Sequence, residues 1–146
     1  MTALAWLALA CYALAFAVVA VFGAAYLRRS DFMPYHRVAV GRDWEGIDPP
    51  VQLLLMALIR VTGAAWLALA GAGVLLLYLL FSSSLQFPHL LAFQAFCLAA
   101  MVPPVAVAWH VRKRTGAPTP VVAGAVVVAL GLAGFAFAVV SILHAQ

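Results

Sequence analysis

Charge is what this chain has least of: only 8% of its 146 residues are Asp, Glu, Lys or Arg, against 68% hydrophobic. A soluble domain is nearer half apolar and about a quarter charged. So few charges cannot clothe a water-facing surface, so the chain is read as belonging in lipid. Acids are scarcest, with four in all, and none lies in the long apolar runs. That removes the titrating carboxylate of a proton-coupled transporter. Two cysteines, Cys11 and Cys97, show no CxxC or Cys/His spacing, which leaves no disulfide framework and no zinc site. The glycine-rich, nucleophile-elbow and HExxH patterns of common enzymes are absent as well.

What remains is four apolar runs and two short basic connections. The reading is an all-α, polytopic membrane protein, a single four-transmembrane-helix bundle over residues 1–146, with spans at about 3–27, 60–81, 88–111 and 120–143. Loops at 28–50 and 112–119 join them, the first amphipathic or irregular. The N-terminal run has no basic residue before it and Arg28-Arg29 after it, the reverse of a secretory signal, so it is read as a retained first helix. Asp48 before Pro49 marks the start of the second helix, whose residues 49–59 extend it beyond the lipid. Ser82–Phe87 links it to a third span opened by Pro88, and Pro103-Pro104 should kink or break that span. Thr115-Gly116 ends it, and Thr119-Pro120 opens the fourth.

Arg28, Arg29, Arg37 and Arg42 fall in one connection and Arg112, Lys113 and Arg114 in the other, with none in the termini or the remaining loop. The positive-inside rule places both basic loops in the cytoplasm and both termini outside, in a membrane expected to be the bacterial inner (plasma) membrane. Trp6, Tyr78 and Phe81 suit the outer interface, and Tyr26, Phe32, Tyr35, Trp44 and Trp109 the inner one. Arg28, Arg29, Trp44, Trp109, Arg112, Lys113 and Arg114 are the expected interface anchors. The basic residues do not interleave with aromatics along a groove, so no nucleic-acid partner is expected; the partners are the lipid bilayer and a membrane protein or a second copy. Packing is expected from Ala64, Ala68 and Ala72 in the second span and Ala125, Ala129 and Ala133 in the fourth, small residues at four-residue spacing.

Four features are candidate sites. Arg60 is the one charge inside a long apolar run, either a snorkelling anchor or a contact to an anion or cofactor. Met33-Pro34-Tyr35-His36-Arg37 and Gly41-Arg42-Asp43-Trp44-Glu45 form an interfacial loop or a docking surface. His36 and His110 share one side and His89 and His144 the other; with Trp109 and Arg112 nearby, His110 would suit haem. Gln94, Cys97 and Met101 share a face of the third span, where Cys97 and Met101, with Cys11 at similar depth, are core fillers or soft Cu(I) ligands. No family pattern is recognised in these residues.

The leading expectation is a non-catalytic accessory, structural or assembly component that packs with itself or a larger membrane complex. The alternative is a binder or oxidoreductase for a lipophilic molecule (quinone, haem or lipid), with Arg60, His110, Tyr35 and His36 around space opened by Pro103-Pro104. A small transporter, resting on the kinked span and Gln94, comes last.

Overall fold

A computed structural model describes residues 2–82 and 85–144. Met1, Ser83, Ser84, Ala145 and Gln146 lie outside the described residues, and with them parts of the expected Ser82–Phe87 link and C-terminal tail. Among the described residues five α-helices follow in order: α1 (Ala3–Leu27), α2 (Pro34–Val40), α3 (Pro49–Ser82), α4 (Phe87–Thr115) and α5 (Val121–Leu143), with a 3-10 turn at Trp44–Gly46. No strand occurs among the described residues. All but α2 are long and apolar enough to cross a membrane, with mean hydropathies from 2.0 to 2.7 over their best windows. By length and composition, the chain is a small multi-pass integral membrane protein.

The helix ends follow the local chemistry. The Thr2 hydroxyl accepts the Ala5 N–H at 3.1 Å and so caps α1. α3 starts at Pro49, and the Asp48 carbonyl accepts the N–H of Gln52 at 2.9 Å. Gly41 and Gly116 end α2 and α4 in the left-handed region, both with φ of 70°, where a Cβ would be strained. α5 begins one residue later than Thr119-Pro120 suggests. The Thr119 hydroxyl donates to the Ala108 carbonyl at 2.8 Å, strapping the connection back onto α4 instead of capping α5.

The expected break at Pro103-Pro104 does not occur: α4 runs as one helix through both prolines. Two missing N–H groups leave two carbonyls without helical donors but do not unwind a long apolar helix, because in lipid every other way of satisfying its backbone is worse.

Helices α1, α3, α4 and α5 run alternately up and down. α1 lies between α3 and α5, α5 also packs on α4, and α3 scarcely touches α4 although the two are consecutive. Both basic connections therefore lie at one end, called here the basic end. Thr2 and Ser141 meet at the other, sharing a 2.6 Å hydrogen bond.

The small residues that bring these helices together differ from those expected. Ala64, Ala68 and Ala72 are exposed on α3, and Ala125 and Ala129 are exposed on α5, with Ala133 half-buried. The inward positions are Gly63, Ala70 and Gly73 on α3 and Gly131, Gly134 and Ala138 on α5. Side chains on α1 make the choice. Phe16 fills the space a side chain would need at Gly73, and Tyr12 does the same at Gly134. Nearer the basic end, α1 and α3 cross at Gly23 and Gly63 so closely that a Cβ on Gly63 would stand 2.8 Å from the Gly23 carbonyl oxygen. Helix association in lipid depends on such contact, since no water is released by it.

α3 has 34 residues. At about 1.5 Å each it is roughly 51 Å long, well beyond a hydrocarbon core of about 30 Å. Its N-terminal turns overhang the bundle and carry the α2 loop: Leu55, Leu58, Ile59 and Thr62 line one pocket with Phe32 and His36.

Candidate functional site

Three arrangements carry polar or aromatic chemistry. The first is at the basic end. Tyr26, near the end of α1, and Tyr35 on α2 share a 2.6 Å hydroxyl hydrogen bond. His36 stands edge-on to Tyr35 at 4.7 Å, to Tyr26 at 6.0 Å and to Phe32 at 6.1 Å, and Phe32 in turn meets Trp44 at 4.8 Å. Edge-to-face pairs of this kind add roughly 0.5–1.5 kcal/mol each beyond burial. Burial first, and the nearby Arg29 second, push the His36 pKa below its ordinary value, which keeps the ring neutral. Burial, then the hydrogen bond with Tyr26, pushes Tyr35 upward, so its hydroxyl stays protonated. Arg29 is held by Met33, its Nε donating to Sδ at 3.1 Å, and by Asp31 at 3.8 Å. The Trp44 carbonyl accepts from Gln52 at 2.7 Å, which ties the loop to α3.

The second arrangement is a cleft in the basic half of the bundle, walled by all four long helices. Val18, Val19 and Phe22 of α1 and Gly124 and Val127 of α5 make its floor, with Trp66 and Leu69 of α3 on one rim and Ala100, Pro104 and Val105 of α4 on the other. Its cavity volume is about 90 Å³, and the cleft opens to the surroundings. The gap follows from the helix order, since α3 and α4 are the neighbours that hardly meet. Trp66 links the two arrangements, touching Phe22 edge-on at 5.9 Å and Tyr26 at 5.3 Å.

The third lies in the opposite half. The Tyr12 hydroxyl donates to Gln94 Oε1 at 2.7 Å, both residues buried, and the Tyr12 ring meets Phe93 edge-on at 4.9 Å. Gln94 Nε2 has no hydrogen-bond partner among the described residues. Two polar side chains on different spans, each in lipid-compatible surroundings, satisfy each other because nothing else there will.

The sequence-derived site residues divide accordingly. Tyr35 and His36 come together. Arg60, about three turns into α3, and His110 on α4 are exposed, and neither makes a hydrogen bond, ion pair or ring contact among the described residues. Cys97 and Met101 are buried in the core on one face of α4 with Gln94, while Cys11 is half-buried. No group of three or more His, Cys, Asp or Glu residues converges among the described residues. His89 lines an apolar pocket with Phe93 and Phe96, and the His144 ring lies 2.8 Å from the Val140 carbonyl. Of the anchors, Lys113 sits 3.9 Å above the Trp109 ring, while Arg28, Arg112 and Arg114 are exposed.

Sequence reasoning passed over Tyr12, Phe22 and Trp66. The first had a readable signal, being a hydroxyl within a span that needs a polar partner, with Gln94 the matching amide on another span. Phe22 and Trp66 carried none, because aromatic side chains in an apolar run are ordinary filling until a cavity appears beside them.

No family model, curated protein or solved structure matches the chain. Its function has to be read from its own residues.

Proposed function

We propose that the protein is a non-catalytic accessory or assembly component of a membrane, which packs against a second copy of itself or a larger membrane complex. One observation carries this reading: the outward face of α3. Ala64, Ala68, Gly71 and Ala72 are all exposed and contiguous along the helix, and a Cβ added to Gly71 would meet nothing. Lipid chains mould themselves to any apolar relief and gain nothing from a flat strip. Another helix does, because small residues let two backbones approach and multiply their dispersion contacts. In this reading the basic loops face the cytoplasm, by the charge rule, and the membrane is the bacterial inner membrane.

Cysteine cross-linking tests it. With Cys11 and Cys97 replaced by Ala, Ala68→Cys should form a disulfide-linked dimer under mild oxidation, or cross-link to a co-purifying membrane protein. Val74→Cys, exposed on another side of α3, should not. A monodisperse monomer in mild detergent with no adduct at either position rejects the proposal.

A second reading, a membrane-embedded binder or oxidoreductase for a lipophilic molecule (quinone, haem or lipid), is favoured by the Tyr35–His36 pair lying one aromatic contact, through Tyr26, from the Trp66 rim of the cleft. Native mass spectrometry of the purified protein separates the two, a retained small molecule supporting the second.

A further inference from the structure

We infer that the cleft between α3 and α4 is a binding site for a membrane-dissolved lipid that carries a ring with a hydroxyl donor, a phenol or quinol type of head on a hydrocarbon chain. This goes beyond the packing face of α3, which lies elsewhere, and narrows the lipophilic-ligand reading to one location and one chemistry.

Three observations support it. Every residue lining the cleft is apolar or aromatic, so a ligand reaches it from the hydrocarbon and not from water. Entry is lateral: α1 and α5 form the floor, and α3 and α4 leave the side open. The third concerns hydrogen bonding. Pro104 has no N–H for the Ala100 carbonyl, the acceptor one helical turn before it, and Ala100 and Pro104 both line the cleft. A carbonyl that lacks its helical donor, on a residue bordering an apolar groove, favours any ligand bringing an O–H. The facing rim is Trp66, supported edge-on by Phe22, which gives a ring an aromatic surface to lie against. A simple acyl chain uses neither the carbonyl nor the aromatic rim. A hydroxylated ring uses both.

The test reads Trp66 directly. With Trp6, Trp44 and Trp109 changed to Phe, Trp66 is the sole indole, and the protein is placed in phosphatidylcholine nanodiscs. A ring-brominated dodecylphenol is titrated against its methyl ether, bromine acting as a contact quencher. The expected result is saturable quenching with a midpoint about fivefold lower for the phenol, the difference one net hydrogen bond makes. Pro104→Ala returns an N–H to the Ala100 carbonyl without endangering the helix, and should bring the two midpoints together. Ala100→Phe, which fills the cleft, should abolish saturation for both compounds. Unsaturable quenching, equal midpoints in the protein with Pro104 intact, or a preference that survives Pro104→Ala overturns the inference. So does quenching that disappears when the protein is kept in its native assembly, which would assign the cleft to a partner's helix. None of these results alters the Ala68→Cys cross-link, so the two proposals fail separately.

Discussion

The two halves of this bundle use the same apolar residue types and the same four helices, yet one carries large rings at its centre and the other leaves its centre to small residues beside a cleft. Toward the termini, Tyr12, Phe16, Leu90 and Cys97 are fully buried, and glycines opposite the two α1 rings make room for them. Toward the basic end, α1 and α3 still touch backbone to backbone at Gly23 and Gly63, but α4 stands away from α3 and a cleft results. The difference lies in where the large side chains point. In the terminal half, rings from α1 and α4 occupy the centre, and Phe93 bridges Tyr12 and Phe16. In the basic half, the aromatic residues Phe22, Tyr26 and Trp66 gather on the α1–α3 side and leave the α4 side to Ala100, Pro104 and Ala108. Filling therefore depends less on hydrophobicity than on which helix supplies the bulk.

Substitutions at glycine should expose this contrast most strongly. Gly63→Ala sets a Cβ against the α1 backbone, which cannot give way, and Gly73→Ala sets one into the Phe16 ring, which is already enclosed. Each is expected to destabilise the bundle by about 2–3 kcal/mol, measured by SDS titration in mixed micelles. Unchanged unfolding midpoints would mean that the halves are not packed as described.

The buried Tyr12–Gln94 pair gives the next largest effect. Tyr12→Phe leaves both polar atoms of the Gln94 amide unpaired and should cost about 1 kcal/mol. Adding Gln94→Leu removes the stranded amide altogether, so the double variant should recover most of the loss. A double variant as poor as the sum of the two single ones would count against the pair.

In the basic half, Gly124→Ala presses on Val105, a side chain that borders the cleft and has room to swing aside. Its cost should stay within about 1 kcal/mol, less than at Gly73. Gly131→Ala, where a Cβ would meet nothing, should be neutral or slightly stabilising through helix propensity alone.

The smallest effect is pH-dependent and confined to the α2 loop. His36 has a depressed pKa in the folded protein, so the folded loop binds a proton less readily than the released one, whose histidine titrates near its usual value of about 6.5. Loop docking should therefore be at full strength above that value and weaken as pH falls from about 6.5 toward the depressed pKa. Hydrogen exchange across 31–47 at pH 7.5 and 5.5, read as protection factors after correction for the slower intrinsic exchange at low pH, checks this, with lower protection expected at pH 5.5 and unchanged protection in His36→Phe. Equal protection factors for the parent at both values would contradict the role given to His36.

Much of the architecture was legible before any coordinates. Apolar runs long enough to span a bilayer, with Gly116 and Pro49 marking ends, are local signals, and the helices start or stop there. Pro103-Pro104 was legible only in part. Its missing donors are certain from the residue type, but whether the helix yields depends on what the carbonyls would find elsewhere, and in this surrounding α4 stays whole. The candidate site was half legible: Tyr35 and His36 are neighbours in sequence and remain together, whereas Arg60 and His110 sit on separate helices and show no contact with them.

By itself, the order of residues determined that this chain has four membrane-suited helices and that its basic residues gather in two connections, because hydrophobic length and charge are properties of contiguous segments. Which stripe of small residues would face inward was beyond it. α3 offers Ala64, Ala68 and Ala72 on one side and Gly63, Ala70 and Gly73 on another, and both are helical stripes of small residues. Only the tertiary structure decided between them, because the choice rests on rings carried by α1, Phe16 seated opposite Gly73 and Tyr12 opposite Gly134. The cleft was settled in the same way, since a gap belongs to no residue and appears only where four helices fail to meet.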